Sequence, residues 1–356
     1  MTLQTALHQL HESEGARLVD FAGWHMPLQY ASITAEHGFV RESAGVFDVG
    51  HMGRFFVSGP KAADALARVT VSRIHDMEIG QTRYTLVCNH AGGARDDILV
   101  NRIGDENFLV VVNASNREKL WQWFSSHFEP EVEFVDKTLE TGMIAVQGPN
   151  AEEIIINTLG AGFNTLEYYH IKDFHGRMFV SRTGYTGEDG FEIISNNDAI
   201  VEIWKKVREA GAQPVGLGAR DSLRLEMGFP LYGHELEETI SPLEAGLKRV
   251  VHFDKDDFIG KAALEAQQEE GVKRRRIAFV LQGPGIPRQG YPLSYGGAPI
   301  GEVTSGGFSP VLKKGFGLGL VDADYVKTED LGVEIRGKVV SAKRVKPPFV
   351  EKRVKV

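Results

Sequence analysis

Two adjacent acids in an apolar hairpin are the feature that most constrains this chain. Residues 84–100 read YTLVCNHAGGARDDILV, where a Gly-Gly pair allows the chain to reverse between two apolar runs. Because strand side chains alternate between faces, Asp96 lies on the same face as Ile98 and Val100. Asp97 lies on the opposite face. We therefore predict that Asp96 points inward, where a carboxylate must be paired, neutralised or used in chemistry.

A purely local role for Asp96 fits the same pattern. Aspartate is common beside turns because its side chain accepts hydrogen bonds from nearby backbone N–H groups. The preceding residue, Arg95, also offers an ion pair. The hairpin alone does not decide between a turn residue and a functional carboxylate.

Length and charge limit the classes of protein that this chain can belong to. With 356 residues it exceeds one ordinary core, so we expect two or three domains. The 40 basic and 48 acidic residues give a net charge of -8, which argues against a nucleic-acid surface. The basic clusters at 273–276 and 343–355 are interpreted as solvated faces, with docking of an acidic protein as the alternative.

The cysteine content and the first residues indicate the compartment. Cys88 is the only cysteine in the sequence, so neither an intramolecular disulfide nor a multi-cysteine metal site can form. The first 21 residues, MTLQTALHQLHESEGARLVDF, contain no basic leader and no continuous apolar segment. We predict a cytoplasmic protein that does not bind membranes.

The histidines do not form a recognisable metal motif. His8 and His11 are three residues apart on a predicted helix, without a third ligand at motif spacing, and are interpreted as surface residues. The His234-Glu235 pair lacks the second histidine of a zinc-protease helix. We predict no metal site.

Strand and helix patterns alternate along most of the chain. Residues 54–139 are expected to form a compact α+β unit, and a second α+β unit follows. From Arg276 onward, short apolar runs separated by glycine turns predict a small all-β module, joined by a charged helix at 261–273. The predicted elements are helices at 3–12, 32–44, 60–70 (with Pro60 at the first helical position) and 117–127, an extended stretch at 47–59, and strands at 83–88, 97–102, 107–113, 131–136, 142–147, 177–182 and 191–195.

Two further segments combine charge with apolar residues. The loop GYTGEDG at 184–190 matches neither the dinucleotide fingerprint nor the phosphate loop, and is interpreted as either a tight connection or a binding loop. Just after it, Glu192 projects from a predicted strand and needs a hydrogen-bond donor. In GARDSLRLE at 218–226, at least one arginine is expected to point into a pocket or bridge elements. An internal Asp–Arg contact is the local alternative.

Six ordered strings give the chain a resemblance to a known family. They resemble the aminomethyltransferase, or T-protein, family of the glycine cleavage system, and the likeness spans nearly the whole chain. The strings are FAGWHMPLQY (21–30), GVFDVGHMG (45–53), GGARDDILV (92–100), TGYTGEDGFEI (183–193), GLGARDSLRLEMGFPLYG (216–233) and VTSGGFSP (303–310).

The resemblance implies an α+β, three-lobed cloverleaf around a central folate channel. It has two α/β lobes, one of them ferredoxin-like, and a C-terminal β-barrel-like lobe. In this chain the resemblance implies a folate-binding first lobe made of 1–53 with 140–250, a second lobe at 54–139 that carries the catalytic aspartate, a linker helix at 251–273 and a C-terminal lobe at 274–356.

The resemblance also implies a reaction. An aminomethyl group passes from the lipoyl arm of H-protein to tetrahydrofolate, which releases ammonia and gives methylene-tetrahydrofolate. Tetrahydrofolate is thus a co-substrate, and neither metal nor flavin is expected. The implied partners are the lipoylated H-protein, bound transiently, and the other glycine cleavage subunits.

Residue by residue, Asp96 matches the family's catalytic aspartate, with Asp97 as the neighbouring structural candidate. A fixed carboxylate can stabilise the positive charge that forms on an attacking folate nitrogen and accept or relay its proton. Glu192 and Arg220 match folate-contacting positions, because a carboxylate can accept paired N–H groups from a pterin edge. The positions that match the lining of the family's channel are Met52, Tyr84, Asn113 and Tyr185. For Met52 and Tyr84, packing in a core is the alternative. Arg288 resembles an arginine near the lipoyl entrance.

Some residues depart from the family pattern. Gly50 stands where many relatives have serine, and Arg95 replaces an aliphatic residue before the acid pair. The tail PPFVEKRVKV lacks a tyrosine that some relatives use against folate, so tail contact with folate is not expected.

Two alternative functions share the same fold. One is a non-catalytic folate-binding relative that supports iron–sulfur proteins, a group with a Lys-Gly-Cys-Tyr string. Here Arg182-Thr183-Gly184-Tyr185 contains no cysteine. The other is a folate-dependent demethylase, for which no dedicated motif is present. The related oxidase fusions are excluded because the chain has no flavin-binding N-terminal domain.

Overall fold

The structure is a computed structural model that describes residues 2–355. Within these residues the chain forms a two-stranded hairpin, a six-stranded sheet, a five-stranded sheet and a closed six-stranded barrel. The mixed α+β class and the C-terminal β-barrel predicted from the sequence are confirmed. The helices are α1 (His8–Ser13), α2 (Ile33–Glu42), α3 (Ala62–Val69), α4 (Arg117–His127), α5 (Ala151–Leu159), α6 (Asn197–Glu209), α7 (Leu217–Met227) and α8 (Lys261–Glu270).

The strands follow the predicted hairpin and barrel patterns, with an unpredicted hairpin near the start. They are β1 (Arg17–Phe21), β2 (Trp24–Gln29), β3 (Gly45–Asp48), β4 (Gly53–Ser58), β5 (Thr82–Cys88), β6 (Ala94–Gly104), β7 (Asn107–Val112), β8 (Glu133–Asp136), β9 (Thr141–Gln147), β10 (Ile171–Asp173), β11 (Met178–Ser181), β12 (Gly190–Asn196), β13 (Gln213–Val215), β14 (Arg274–Leu281), β15 (Pro292–Tyr295), β16 (Ala298–Ser309), β17 (Lys314–Asp322), β18 (Asp330–Ile335) and β19 (Lys338–Val345).

The six-stranded sheet joins distant parts of the chain. Its strand order is β10-β11-β12-β9-β3-β13, so β3 pairs antiparallel with β9 although almost a hundred residues separate them. Helices α5 and α6 pack on this sheet. Helix α6 shows why the sequence folds this way, because its apolar residues recur at helical spacing and are all buried: Ile200, Ile203, Trp204 and Val207.

The residues between β3 and β9 build the five-stranded sheet, in the order β5-β6-β7-β4-β8. Helices α3 and α4 cover one face of it, and their apolar residues share a core cluster with Phe55, Ile98, Val100 and Val110. The hairpin between β5 and β6 turns over residues 89–93. Here Gly93 is required, because a Cβ atom at this position would lie only 1.8 Å from the carbonyl oxygen of Glu238.

The barrel closes through the order β14-β17-β16-β15-β18-β19. After β19 the tail leaves the barrel and crosses α7, where Phe349 N–H donates to the Glu226 carbonyl at 2.7 Å. The tail then reaches the loop before β12, where Arg353 Nη2 donates to Glu188 Oε1 at 2.7 Å. The tail therefore ties the barrel to the six-stranded sheet.

Each basic cluster combines exposed side chains with a few that bind neighbouring elements. In the first, Arg274 Nε donates to Glu244 at 3.0 Å, and Arg276 Nη1 donates to the Gly228 carbonyl at 3.1 Å. In the second, Lys355 Nζ donates to Glu152 at 2.7 Å. The prediction of solvated faces is therefore confirmed in part, because Lys273, Arg275, Lys343, Lys346 and Lys352 are exposed, whereas the other side chains named here find acceptors on neighbouring elements.

The prediction that His8 and His11 lie on the surface is also wrong. Both are buried, and His11 Nε2 lies 2.8 Å from a carboxylate oxygen of Asp48. His8 Nε2 lies 2.8 Å from His25 Nδ1. The sequence shows one polar face on a short helix but not the polar partners opposite it. The helix itself begins at His8 rather than at residue 3.

Smaller corrections concern the element ends. Helix α3 begins at Ala62 after an Lys61 cap, so Pro60 precedes the helix instead of taking its first position. Across residues 2–355, no group of three His, Cys, Asp or Glu side chains is placed to hold a metal ion. None of the helices described here has the length and apolar character needed to cross a membrane.

Candidate active site

The two adjacent acids lie on opposite faces of β6. Asp96 is fully buried, as the alternation predicts, and pairs in register with Val87 on the face covered by α3 and α4. Asp97 is only half-buried and pairs with Leu86 on the other face. The inward-facing acid is therefore fully buried, whereas the outward-facing acid is partly exposed.

Asp96 is held by two asparagines beyond the end of β7. Asn113 donates twice, from its backbone N to Asp96 Oδ2 at 3.1 Å and from its side-chain Nδ2 to Oδ1 at 2.8 Å. Asn116 Nδ2 donates to the same Oδ1 at 2.6 Å. The bond from Arg95 that the sequence offered is not formed, because Arg95 instead pairs with Glu238 at 3.3 Å.

Asp97 shares one of these donors. Asn113 Nδ2 lies 2.9 Å from Asp97 Oδ1, so one amide group bridges the two carboxylates. Tyr84 Oη donates to Asp97 Oδ2 at 3.1 Å. The four side chains of Asp96, Asn113, Asp97 and Tyr84 thus form one connected hydrogen-bond network.

The charges of the two acids are coupled. Burial raises the pKa of Asp96 and the nearby charge of Asp97 raises it further, to about 8, although three N–H donors oppose the rise. Burial raises the pKa of Asp97 to about 6 against the donors Tyr84 and Asn113. The pair therefore releases its protons in steps that belong to both groups, and the second carboxyl stays protonated up to near-neutral pH.

An aromatic surface formed by Tyr185 and Phe229 lies near Asp97. The ring of Tyr185 stacks on Phe229, with 5.7 Å between centroids and 22° between planes, and its hydroxyl donates to the Pro230 carbonyl. The guanidinium carbon of Arg220 lies 4.9 Å from the Tyr185 ring centroid. Burial raises the pKa of Tyr185, and the negative charge of Asp97 adds to the rise, which links this surface to the acid pair.

Glu192 completes the arrangement from β12. It is buried, and Thr183 Oγ1 donates to its Oε2 at 2.5 Å, which supplies the donor that the sequence required. Burial lowers the pKa of Arg220, and the charges of Glu192 and Tyr185 counteract that effect. For Tyr169, burial raises the pKa to about 12, and the negative charges of Glu192 and Asp97 add to this rise. These charges therefore act on a common region.

The two residues with a core alternative show both kinds of contact. Met52 is half-buried and packs with Leu99 against the apolar cluster under β3. Tyr84 packs against a cluster that contains Leu86 and Leu236, while its hydroxyl reaches Asp97. Each residue thus packs against a core and is partly exposed.

The structure does not bring Arg288 to the other residues. It is exposed on the loop before β15, and within residues 2–355 its side chain makes neither a hydrogen bond nor an ion pair. The departure at Gly50 is local, since its N–H donates to Asp48 Oδ1 at 2.7 Å and an added Cβ would lie 3.0 Å from the same oxygen.

Sequence reasoning missed Asn116, Tyr169 and Phe229. A signal existed for Asn116, because asparagine commonly caps the first turn of a helix, and Asn116 directly precedes α4. Its side chain does not cap the helix but binds Asp96 instead. Tyr169 and Phe229 carried no comparable signal, because their place depends on contacts between distant segments.

Two family models match the chain. The model described as the GCVT N-terminal domain matches residues 7–255, and the model described as the glycine cleavage T-protein C-terminal barrel domain matches residues 274–351. Together they cover both α+β sheets and the barrel.

Individual proteins match over nearly their full length. An aminomethyltransferase of Rubrobacter xylanophilus is 45% identical over 98% of this chain and 95% of its own. One of Halothermothrix orenii is 42% identical over 98% of this chain and 99% of its own. The crystal structure of glycine cleavage system aminomethyltransferase T from Bartonella henselae superposes with a TM-score of 0.95 at 33% identity and covers 99% of both chains.

Proposed function

This chain belongs to the glycine cleavage T-protein family, and from that premise we propose how its acid pair and aromatic surface carry out aminomethyl transfer. The protein is an aminomethyltransferase of the glycine cleavage system, a transferase of one-carbon metabolism that uses tetrahydrofolate as a substrate. Its donor is the aminomethyl group on the lipoyl arm of H-protein.

The overall reaction determines what the residues must do. Two bonds form, between the transferred carbon and two folate nitrogens, and two bonds break, from that carbon to the lipoyl sulfur and to the amine. The two protons lost by the folate nitrogens are taken up by the departing ammonia and thiolate. A fixed carboxylate beside the attacking nitrogen can stabilise its positive charge and relay its proton.

Asp97 is better placed than Asp96 to be that carboxylate. Asp97 is half-buried and bonded to Tyr84, whereas Asp96 is fully buried on the face that α3 and α4 cover. The resemblance assigns the ligand contact to Asp96, and the present proposal differs from it at this position. In this proposal Asp97 contacts folate, and Asp96 orients Asn113, whose amide in turn orients Asp97. This bridge is the single observation that carries the proposal.

The remaining residues bind the ring system. Only Thr183 donates to the Glu192 carboxylate among residues 2–355, which leaves Oε1 to accept N–H groups from the pterin edge. Tyr185 and Met52 offer an aromatic and a thioether surface to the rings. Arg220 supplies a cation next to both Glu192 and Tyr185.

We propose the same three-lobed arrangement around a folate channel as the resemblance implies. The first lobe comprises 1–53 with 140–250, the ferredoxin-like second lobe 54–139, and the third lobe 274–356, with 251–273 as the linker helix. The pairing of β3 with β9 supports this division, because all strands between them belong to the other sheet.

The proposed reaction requires partner proteins. H-protein would dock transiently, with the exposed Arg288 near the entrance of its lipoyl arm, and the other glycine cleavage subunits would supply and regenerate that arm. Neither metal nor flavin takes part in the proposed reaction. A cytoplasmic location remains a prediction.

The direct test mixes the protein with aminomethyl-loaded H-protein and tetrahydrofolate and measures ammonia. We expect ammonia release that depends on both the folate and the loaded carrier. A protein that bound tetrahydrofolate but released no folate-dependent ammonia would contradict the proposed reaction.

A further inference from the structure

A buried arginine, Arg224, lies next to the aromatic surface but takes no part in the proposed reaction. It is 1% exposed on α7 and makes four hydrogen bonds. Its Nη1 donates to the Phe229 carbonyl at 3.0 Å and to Glu235 Oε2 at 3.1 Å. Its Nη2 donates to Ser305 Oγ at 2.8 Å, and its Nε donates to Asp221 at 2.8 Å.

Glu235, the ion-pair partner of Arg224, also takes part in several hydrogen bonds. It is completely buried, and its Oε2 also accepts a hydrogen bond from Leu231 N–H at 3.0 Å. Its Oε1 accepts from Thr304 Oγ1 at 2.5 Å. Thr304 and Ser305 belong to the VTSGGFSP string on β16, so the ion pair joins α7 to the barrel. A buried ion pair of this kind generally adds little net stability, because both charges must first be desolvated.

The segment between the two partners is held at three consecutive residues. The carbonyl of Phe229 accepts from Arg224, the carbonyl of Pro230 accepts from Tyr185, and the N–H of Leu231 donates to Glu235. The ring of Phe229 stacks on Tyr185. The position of the Tyr185 ring is therefore determined by a turn that Arg224 and Glu235 fix.

We infer that Arg224 is a positioning residue that fixes the Tyr185 ring against the substrate and couples that ring to the barrel through Thr304 and Ser305. The inference rests on the proposed function, because it assigns Tyr185 to the folate cavity. Arginine is suited to this task, since its planar group offers several donors in fixed directions, whereas lysine offers a single point charge.

The test compares Arg224→Lys with the matched control Asp221→Asn. Asp221 contacts the same guanidinium, but its side chain is 54% exposed and forms no hydrogen bond to residues 229–231. Since one lost hydrogen bond weakens an interaction by about fivefold, we expect Arg224→Lys to raise the KM for tetrahydrofolate about fivefold or more, with kcat within about twofold. We expect Asp221→Asn to leave both unchanged. Equal effects of the two substitutions would overturn the inference.

Ser305→Ala provides a second variant that leaves the buried ion pair intact. It removes one barrel contact, and we expect a smaller rise in KM in the same direction. In a double-mutant cycle with Tyr185→Leu, both Arg224→Lys and Ser305→Ala should add little to the effect of Tyr185→Leu, because they act through that ring. Additive effects would show that Arg224 does not act through Tyr185.

A readout independent of folate separates this inference from the proposed function. In protein labelled with 3-fluorotyrosine, the fluorine resonance of Tyr185 is assigned by its loss in Tyr185→Phe. We expect Arg224→Lys to shift or broaden this resonance and Asp221→Asn to leave it unchanged. An unmoved resonance would overturn the positioning role. A moved resonance with a Tyr185→Leu variant of normal KM would instead contradict the placement of Tyr185 in the folate cavity.

Discussion

Asn113 donates two hydrogen bonds to Asp96. Its backbone N lies 3.1 Å from Oδ2, and its side-chain Nδ2 lies 2.8 Å from Oδ1. The same side-chain nitrogen lies 2.9 Å from Asp97 Oδ1. Because an amide nitrogen carries two hydrogens in one plane, fixing it against Asp96 also fixes the direction from which it reaches Asp97. The core-facing acid thus determines the position of the outward-facing one.

Removal of the bridging amide should affect both acids. We expect Asn113→Ala to lower the free energy of unfolding by about 1–3 kcal/mol, because buried carboxylate oxygens lose donors, and to reduce turnover about tenfold or more. Asn116→Ala is the matched control, since Asn116 donates to Asp96 alone. We expect it to lower stability by a similar amount with a smaller loss of turnover, measured by urea denaturation and ammonia release. Wild-type turnover in Asn113→Ala would show that the bridge has no catalytic role.

The raised pKa of Asp96 predicts how stability changes with pH. A carboxyl whose pKa is higher in the folded than in the unfolded state stabilises the fold at low pH, and this contribution is lost as pH rises through the folded value of about 8. Asparagine does not titrate. We therefore expect the stability advantage of wild type over Asp96→Asn to shrink between about pH 4 and pH 8 in thermal unfolding. An advantage that grew over this range would contradict the raised pKa.

Asp48 should behave in the opposite way. Burial alone raises its pKa, but hydrogen bonds from His11, Thr5 and Gly50 N–H outweigh that effect and hold the pKa below its usual value. Its contribution is therefore present above the unfolded value, near pH 4, and is lost as pH falls through the folded value. We expect Asp48→Asn to cost about 2–4 kcal/mol at pH 7, with the difference from wild type narrowing in acid. A constant difference down to pH 2 would contradict this assignment.

The tail contact offers a test of how the barrel is joined to the rest. Arg353 Nη2 donates to the buried Glu188 and to the Arg41 carbonyl, both at 2.7 Å, whereas Lys355 forms a surface pair with Glu152. We expect Arg353→Ala to lower the free energy of unfolding by about 1–2 kcal/mol and Lys355→Ala by less than about 0.5 kcal/mol in urea denaturation. Equal losses would show that the buried acid does not depend on the tail.

Part of this site follows from the sequence. Alternation along β6 correctly separates Asp96 from Asp97 and predicts that Asp96 is buried, and the turn glycines predict the hairpin and an all-β C-terminal module. However, the alternation does not predict which helices or strands pack on each face of β6. Helices α3 and α4 cover the face of the sheet on which Asp96 lies, and neither helix could be assigned to that face from the local pattern.

Contacts between distant segments account for most of what the sequence does not show. Ser305 meets Arg224 across 81 positions, and β3 pairs with β9 across an entire sheet. No local pattern near Arg224 distinguishes a contact with Asp221, three residues away, from contacts that also reach the barrel. Here both are formed, because the guanidinium has enough donors for each.

The different roles of the two acids can be tested in a single measurement. Single-turnover ammonia release would be recorded at saturating tetrahydrofolate for Asp97→Asn and Asp96→Asn, after equal folate affinity is verified by titration. We expect Asp97→Asn to slow release about a hundredfold or more, because it removes the group that meets the substrate, and Asp96→Asn to slow it about tenfold through a displaced Asn113. A larger loss in Asp96→Asn than in Asp97→Asn would contradict the assignment of Asp97 as the reacting carboxylate.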